Sequence, residues 1–360
     1  MRVYGSKISY YTGKLEAYLR YKGLDYERLS STIHQREIRK HVGAIQMPVV
    51  ERDDGRWMSD STPTLLQLET EHPRPPILPA NQAVRFIGLL LEDYADEWLW
   101  RPAMHYRWSY SHDRELLSSI IVDELLPHVP LPRFAKRRII QLRQRIGFVI
   151  RDGVRKQTRE HVEAGYFAAL DNMTRMLETR SYLLGDAPSI ADFGFMAPML
   201  RHFGQDPTPA EVMRERAPAV YAWVARVWNA KPPASGPRFV DTIPEDTVPM
   251  LKEVSETHLH QLAVNAEAYG RGARRFQMRV QGCEYVKLPV SRYRVACLER
   301  LRALHAVLTE SDRAVVQALL PYPEAGILWD PAFQTRSGYD EEGEAPFNRA
   351  INVYGKGVPR

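Results

Sequence analysis

Residues 46–50 constrain the fold of this chain most, because a proline stands immediately before two β-branched residues. A proline cannot donate to a sheet ladder, and the Met47-Pro48 bond before a strand is a candidate for a cis peptide. Such a bond turns the N–H and C=O groups of Met47 outward, where an extended peptide can pair with them. Asp60 and Ser61 follow just before a helical run, so free backbone N–H groups there can receive a carboxylate. Together the two pieces predict a site for a small anionic peptide.

The N-terminal part of the chain predicts a small domain of mixed strands and helices. We expect strands at residues 2–4, 25–29, 48–51 and 56–59, and helices over residues 12–22 and 62–70. Gly23 suits the position that ends the first helix, and Asp53-Asp54-Gly55 suits a hairpin turn. The expected order is β-α-β followed by β-β-α.

After a proline-rich connection at residues 72–79, the sequence becomes helical. Apolar residues recur at three- and four-residue intervals in 165–177 and again in 220–227, which predicts amphipathic helices. Ser189 and Asp192 stand in an S-x-x-D pattern before an apolar run, which predicts a capping box at the start of a core helix.

These features together resemble the glutathione transferase superfamily, in its serine type, over residues 1–230. The resemblance implies an α/β thioredoxin-like glutathione-binding domain at residues 1–78 and an all-α helical domain at 79–230. Residues 231–360 form an unusual extension, for which we expect a linker, mostly helical structure with one hairpin at residues 276–288, and an irregular tail. The resemblance also implies a homodimer.

The resemblance assigns roles to residues of the N-terminal domain. It makes Ser9 the catalytic residue, in contact with the glutathione thiol. It assigns Asp60 and Ser61 to the γ-glutamyl end of glutathione and Gln46 to the glycyl end. The Met47 backbone, next to Pro48, is assigned to the cysteinyl unit. A hydroxyl donor at a helix start favours a thiolate near neutral pH. Alternatives stay open: Ser9 can be only a helix N-cap, Tyr4, Tyr10 or Tyr11 can supply the hydroxyl, and Pro48 can be trans.

A helix over residues 84–110, bent at Pro102, is expected to line the site of the second substrate. The predicted acceptor pocket consists of Tyr10, Tyr11, His105 and Trp108. Helix–helix packing is an equally good interpretation of the aromatic residues, because their spacing is also that of a core face.

Composition and charge bound the remaining possibilities. The sequence has 360 residues, a net charge of +5 and two cysteines, which give no disulfide framework. No apolar run reaches membrane-spanning length and no leader is evident, so we expect a cytoplasmic protein. His258 and His260 point apart on a helix, so no metal site is expected. The basic segment 133–145 can touch anionic lipid or nucleic acid, but we favour a solvated helix whose isoleucines pack inward, and we do not expect nucleic-acid binding.

Two classes of function follow. The first is a glutathione-dependent transferase that activates the thiol for attack on a hydrophobic electrophile. The second is a catalytically weak or inactive relative that keeps the fold as a scaffold for a partner, because fold does not fix function. The extension can cover the acceptor site, join subunits or bind another protein, and the sequence does not choose among these roles or identify the electrophile.

Overall fold

The computed structural model describes residues 1–351 and begins with a small mixed sheet. Its strands are β1 (Arg2–Gly5), β2 (Glu27–Ser30), β3 (Val49–Glu51) and β4 (Trp57–Ser59), in the order β2-β1-β3-β4. β1 is parallel to β2 and antiparallel to β3, and β3 is antiparallel to β4. The helices of this domain are α1 (Tyr10–Lys22), α2 (Gln35–Val42) and α3 (Ser61–Glu71). The predicted thioredoxin-like α/β fold is confirmed.

Two glycines end elements of this domain where the sequence predicted. Gly23 follows α1 with φ of 66°, and Gly55 lies in the β3–β4 turn with φ of 81°. Both angles are in the left-handed region that favours glycine. Helix α2 was not predicted from the sequence, because only Ile38 and Val42 of its 8 residues are buried. Two apolar positions are too few to show a helical period.

A layer of helices follows the mixed domain. These helices are α4 (Gln82–Glu97), α5 (Trp100–Ser109), α6 (Ser111–Leu125), α7 (Arg133–Gln144), α8 (Arg159–Leu177), α9 (Ile190–Pro198), α10 (Pro207–Arg216) and α11 (Pro218–Trp228). Wider turns continue α7 through Arg145–Ile150 and α9 through Met199–Phe203. The single bent helix expected over residues 84–110 is wrong. The chain breaks after α4, and Pro102 lies in the first turn of α5, where a missing N–H costs no hydrogen bond.

The capping box at the start of α9 is confirmed. The Asp192 carboxylate accepts hydrogen bonds from the N–H and the hydroxyl of Ser189, at 2.9 and 2.7 Å. It also accepts from Leu183 N at 2.9 Å and from Trp223 Nε1 at 3.0 Å. Since Asp192 is completely buried, this one carboxylate holds together a loop, a helix start and a core tryptophan.

The extension adds four helices and a hairpin within the described residues. They are α12 (Val248–Glu253), α13 (His260–Gly270), β5 (Arg275–Val280), β6 (Cys283–Pro289), α14 (Arg292–Ala306) and α15 (Glu310–Leu319). The segment Val254–Leu259 joins α12 to α13 without a break. The predicted hairpin and mostly helical extension are confirmed, and the irregular tail is confirmed to residue 351. The rest of the predicted tail lies outside the described residues, and the domain boundaries at 78 and 230 stay predictions.

Helix α4 lies at the centre of the molecule because the extension covers it. Every residue from 86 to 97 is buried, and two of the acidic side chains among them, Asp93 and Glu97, meet basic side chains of the extension. These contacts are Arg294 Nε to Glu97 Oε2 at 3.2 Å, Arg300 Nη2 to Asp93 Oδ1 at 3.1 Å and His258 Nε2 to Asp93 Oδ2 at 2.7 Å. The two arginine contacts hold α14 against α4. No helix within residues 1–351 is long and apolar enough to cross a membrane.

Candidate functional site

Ser9 lies at the N-terminus of α1, directly after the loop that leaves β1. Its backbone is extended, with φ of −81° and ψ of 132°, and its Oγ accepts from Thr12 N at 3.4 Å. The side chain is half-buried. The N-cap role that the sequence left open is therefore present, and it places the hydroxyl at the positive end of the helix dipole.

The Met47–Pro48 segment leads into β3 at the same end of the sheet. The peptide bond is cis, as expected from the sequence. Val49 pairs with Tyr4 near the end of β1, so Met47 lies beyond the paired part of the sheet, on the side from which the chain continues toward Ser9. Among residues 1–351, none donates a hydrogen bond to the Met47 carbonyl or accepts one from its N–H.

Asp60 holds an unusual conformation at the start of α3. Its φ is 72° and its ψ is 117°, and its side chain makes no hydrogen bond to the first turn of the helix. A non-glycine residue in this region carries about 1–3 kcal/mol of strain and is most frequent at functional sites. Because Pro63 has no N–H, the first-turn donors are the N–H groups of Ser61 and Thr62, and the positive end of the helix dipole favours an anion beside them.

The Asp60 carboxylate is engaged by two tyrosines of the extension. Tyr293 Oη donates to Oδ1 and Oδ2 at 2.9 and 3.0 Å, and Tyr339 Oη donates to Oδ2 at 3.2 Å. Burial raises the pKa of Asp60, while the positive charge of Arg300 and the tyrosine hydrogen bonds act in the opposite direction. One predicted ligand contact is therefore satisfied within the chain.

Residues 337–351, which we call the tail strap, continue from Asp60 along the edge of the sheet. Ser59 N donates to Pro346 O at 2.9 Å, and Ala350 N donates to Val42 O at 3.0 Å. The side-chain amide of Gln46 donates to the carbonyl of Ile351. The tail strap thus touches Asp60 near one end and Gln46 at the other, and these two residues were predicted to hold opposite ends of the tripeptide.

Two parts of the sequence match known family models. Residues 3–76 match the model described as glutathione S-transferase, N-terminal domain, and residues 156–226 match glutathione S-transferase, C-terminal domain. The chain therefore contains both domains of the glutathione S-transferase family. The segment between the two matches contains α6 and α7, and the extension follows the second match.

Several solved structures are similar to this one. A glutathione S-transferase from Rhodospirillum rubrum is 18% identical, covers 69% of this chain and 91% of its own, and has a TM-score of 0.42. The β-etherase LigF from Sphingobium is 20% identical, with coverages of 63% and 93% and a TM-score of 0.46. A Methylobacterium radiotolerans enzyme in complex with glutathione sulfonate is 19% identical, with coverages of 68% and 97% and a TM-score of 0.37. Comparison with curated proteins gave no significant match.

The acceptor pocket predicted for this glutathione transferase relative is corrected at three positions. Tyr10, His105 and Trp108 are only 2%, 1% and 1% exposed. Tyr10 Oη donates to Ala95 O at 2.5 Å, and His105 Nε2 lies 2.9 Å from Glu163 Oε1. Side chains buried and bonded in this way belong to the core between helices, which is the alternative that the sequence analysis gave.

Tyr11, two residues after Ser9, belongs to a group of half-buried aromatic side chains. Tyr11 stacks on Trp100 with ring centroids 5.8 Å apart, and Phe148 meets Trp100 edge-on at 5.7 Å. Tyr11 was predicted as a pocket residue, whereas Trp100 and Phe148 were not. Trp100 falls within residues 84–110, the segment expected to line the site of the second substrate, but Phe148 carried no signal because it follows a basic helix with no recognised motif.

A buried ionic cluster contacts the start of α3 through the Thr62 hydroxyl. Lys14 Nζ contacts Asp96 Oδ2 at 2.5 Å, Thr62 Oγ1 at 3.0 Å, and also the Glu92 carboxylate. Burial opposes the charge of Lys14, but Asp96 and Glu92 outweigh it and raise the pKa of the ammonium. Residues 1–351 contain no group of three or more His, Cys, Asp or Glu side chains placed to hold a metal ion.

Proposed function

We propose that the chain is a glutathione-dependent transferase that activates the glutathione thiol for attack on a hydrophobic electrophile. The observation that carries this proposal is the strained Asp60 at the start of α3, with its carboxylate turned away from the helix. In the proposed complex the N–H groups of Ser61 and Thr62 receive the γ-glutamyl carboxylate, and Asp60 receives its ammonium group. The Met47 main chain pairs with the cysteinyl unit, and Gln46 binds the glycyl end.

In this proposal the glutathione thiol loses its proton to solvent, and the Ser9 hydroxyl donates a hydrogen bond to the resulting thiolate. A hydrogen bond to a charged group contributes about 1.5–3 kcal/mol, equivalent to about one to two pKa units of a thiol. The sulfur then forms a bond to the electrophilic carbon, and the leaving group departs with the bonding electrons. Tyr11, Trp100 and Phe148 offer the apolar surface on which an electrophile can rest.

Binding of glutathione requires the tail strap to move in this proposal. The tripeptide needs the side of the Asp60 carboxylate that Tyr339 of the tail strap occupies, and the Gln46 amide that Ile351 occupies. The apparent affinity of a ligand that binds only one of two conformations is reduced by the fraction of the protein in that conformation. The chain with the tail strap in place should therefore bind glutathione more weakly than one without it.

The same contacts favour the second candidate, a catalytically inactive scaffold in which the tail strap is the permanent occupant of the groove. Two hydrogen bonds of the tail strap reach groups that glutathione needs, the Asp60 carboxylate and the Gln46 amide. A homodimer, which the resemblance implies, and a cytoplasmic location, which the sequence led us to expect, also remain proposals, and sedimentation velocity of the purified protein tests the first of them.

Calorimetric titration with glutathione distinguishes the two candidates. The full chain is compared with one that ends at Thr335, after circular dichroism has shown that both are folded. Stronger binding to the shortened chain supports the transferase with a displaceable tail strap. If neither chain binds glutathione, the transferase proposal fails and the scaffold remains. Equal binding to both keeps the glutathione site and removes the role of the tail strap.

A further inference from the structure

Exposed apolar side chains concentrate on α7 and its continuation. Of the large apolar residues that are exposed within residues 1–351, half lie between 131 and 150. They are Leu131, Phe134, Ile139, Leu142, Ile146 and Ile150, and we call this surface the α7 face. Phe134 is 72% exposed and Leu142 is 62% exposed. A contiguous group of this kind on a protein surface marks a contact with another molecule.

This finding corrects the interpretation favoured from the sequence, in which the isoleucines of the basic segment pack inward. Ile140 does so and is 7% exposed, whereas Ile139 and Ile146 are 54% and 51% exposed. The inward side of α7 is held on α6, where Gln141 Nε2 donates to Ser118 Oγ at 2.9 Å. The outward direction of the α7 face is therefore fixed by the packing beneath it.

Arginines share the α7 face with the apolar side chains. Arg138, Arg143 and Arg145 are exposed, and no ion pair involving them is found within the described part of the chain. Arg133 and Arg137, by contrast, pair with Asp123 and Glu115 of α6. At about 100° per residue, Phe134, Arg138, Leu142, Arg145 and Ile146 fall within about 120° of the helix surface.

We propose that the α7 face docks on an anionic lipid surface. A helix that lies in the plane of a membrane inserts its apolar side chains at the headgroup boundary, while its basic side chains meet lipid phosphates and carboxylates. The α7 face supplies both kinds of contact on one exposed stripe. Charge favours an anionic partner, because residues 133–150 include basic side chains and no acidic side chain.

Two other occupants fit this surface less well. A second copy of the chain, related by a twofold axis, would bring the same arginines of both copies together, and like charges repel in such an interface. A nucleic acid would satisfy the arginines but would leave the exposed phenylalanine and leucine without an apolar partner. Both occupants are outcomes of the test below.

Co-sedimentation of the full chain with phosphatidylcholine vesicles, with and without phosphatidylserine, tests the proposal. We expect binding that depends on phosphatidylserine and weakens in high salt. The variant Arg138→Gln/Arg143→Gln/Arg145→Gln should lose about fivefold in vesicle affinity for each arginine removed. Phe134→Gln/Leu142→Gln should also bind more weakly, because the apolar contribution is lost.

Matched variants elsewhere control for net charge and exposed apolar area. Arg36→Gln/Arg39→Gln/Lys40→Gln removes the same charge from α2, and Val307→Gln removes a side chain that is 81% exposed on the extension. Both controls should sediment as the parent does. The proposal is overturned if the parent ignores phosphatidylserine, or if the controls lose as much affinity as the α7 variants. It is also overturned if the α7 variants change only the sedimentation coefficient of the protein, or only its retention on RNA.

Discussion

Ser9 combines two roles that a single substitution would disturb together, since its Oγ caps α1 and is the proposed donor to the thiolate. We expect Ser9→Ala to lower the free energy of unfolding by about 1 kcal/mol through loss of the cap. In the chain that ends at Thr335, it should also reduce the ultraviolet thiolate absorbance of bound glutathione. Urea unfolding and difference spectroscopy measure the two effects separately.

Ser291 provides the control for the Ser9 variant, because it is also a serine N-cap. Its Oγ accepts from Arg294 N at 3.3 Å at the start of α14. Ser291→Ala should lose a similar amount of stability and leave the thiolate absorbance unchanged. Equal absorbance of bound glutathione in the Ser9→Ala variant and its parent would remove Ser9 from the chemistry.

Tyr339 joins the tail strap to Asp60 through one hydroxyl, so a single oxygen can be removed from the contact. Tyr339→Phe should strengthen glutathione binding to the full chain several-fold, because a net hydrogen bond of about 0.5–1.5 kcal/mol no longer holds the tail strap in place. Calorimetry of the parent and variant measures this change. Tyr322→Phe, in the same extension but away from Asp60, should leave the affinity unchanged. A weaker affinity in Tyr339→Phe would show that this hydroxyl aids the ligand.

At the scale of elements, the sequence predicted those structural features that depend only on neighbouring residues. The cis Met47-Pro48 bond, the Gly23 helix end and the Ser189–Asp192 capping box depend on residues within one turn of each other, and all three are found. The roles of Tyr293 and Tyr339 could not be predicted. They contact a residue more than two hundred positions away, and no local pattern carries that information.

The contribution of the α9 capping box to the free energy of unfolding depends on its burial. Asp192→Asn should lower the free energy of unfolding by about 2–4 kcal/mol, because buried donors on Leu183, Ser189 and Trp223 lose a charged acceptor. Thr309 and Asp312 form an exposed counterpart on α15, where Thr309 Oγ1 accepts from Asp312 N at 3.1 Å. Asp312→Asn should cost less than about 1 kcal/mol. Equal losses in urea unfolding would mean that burial of Asp192 adds nothing.

At the scale of the whole molecule, the extension determines why α4 can be buried. The acidic residues of α4 between Glu92 and Glu97 look like a solvent-facing stretch in the sequence. Burial of such groups is tolerated only when they are paired. The partners come from far along the chain: Lys14 precedes α4, and His258, Arg294 and Arg300 belong to the extension. The extension is therefore an integral part of the fold, while the tail strap at its end lies on the edge of the sheet.

Buried histidines make the stability of the whole molecule sensitive to acid. His202 is 1% exposed, with Tyr10 and Trp100 against its ring. Burial, followed by the charge of Arg107, holds its pKa well below the usual value, and burial also lowers the pKa of His105. The unfolded chain therefore takes up these protons first, and stability that is present above the ordinary histidine pKa of about 6.5 is lost as pH falls below it.

Urea unfolding between about pH 7.5 and about pH 5.5 measures this loss, which can reach about 1.4 kcal/mol per pH unit for each such histidine. His202→Phe preserves the aromatic contacts and should flatten the pH dependence, because one proton uptake by the unfolded chain disappears. His128→Gln changes an exposed histidine and should leave the slope as it is in the parent. A His202→Phe slope equal to that of the parent would mean that this ring is protonated equally in the folded and unfolded chains, which its burial between two aromatic rings and beside Arg107 argues against.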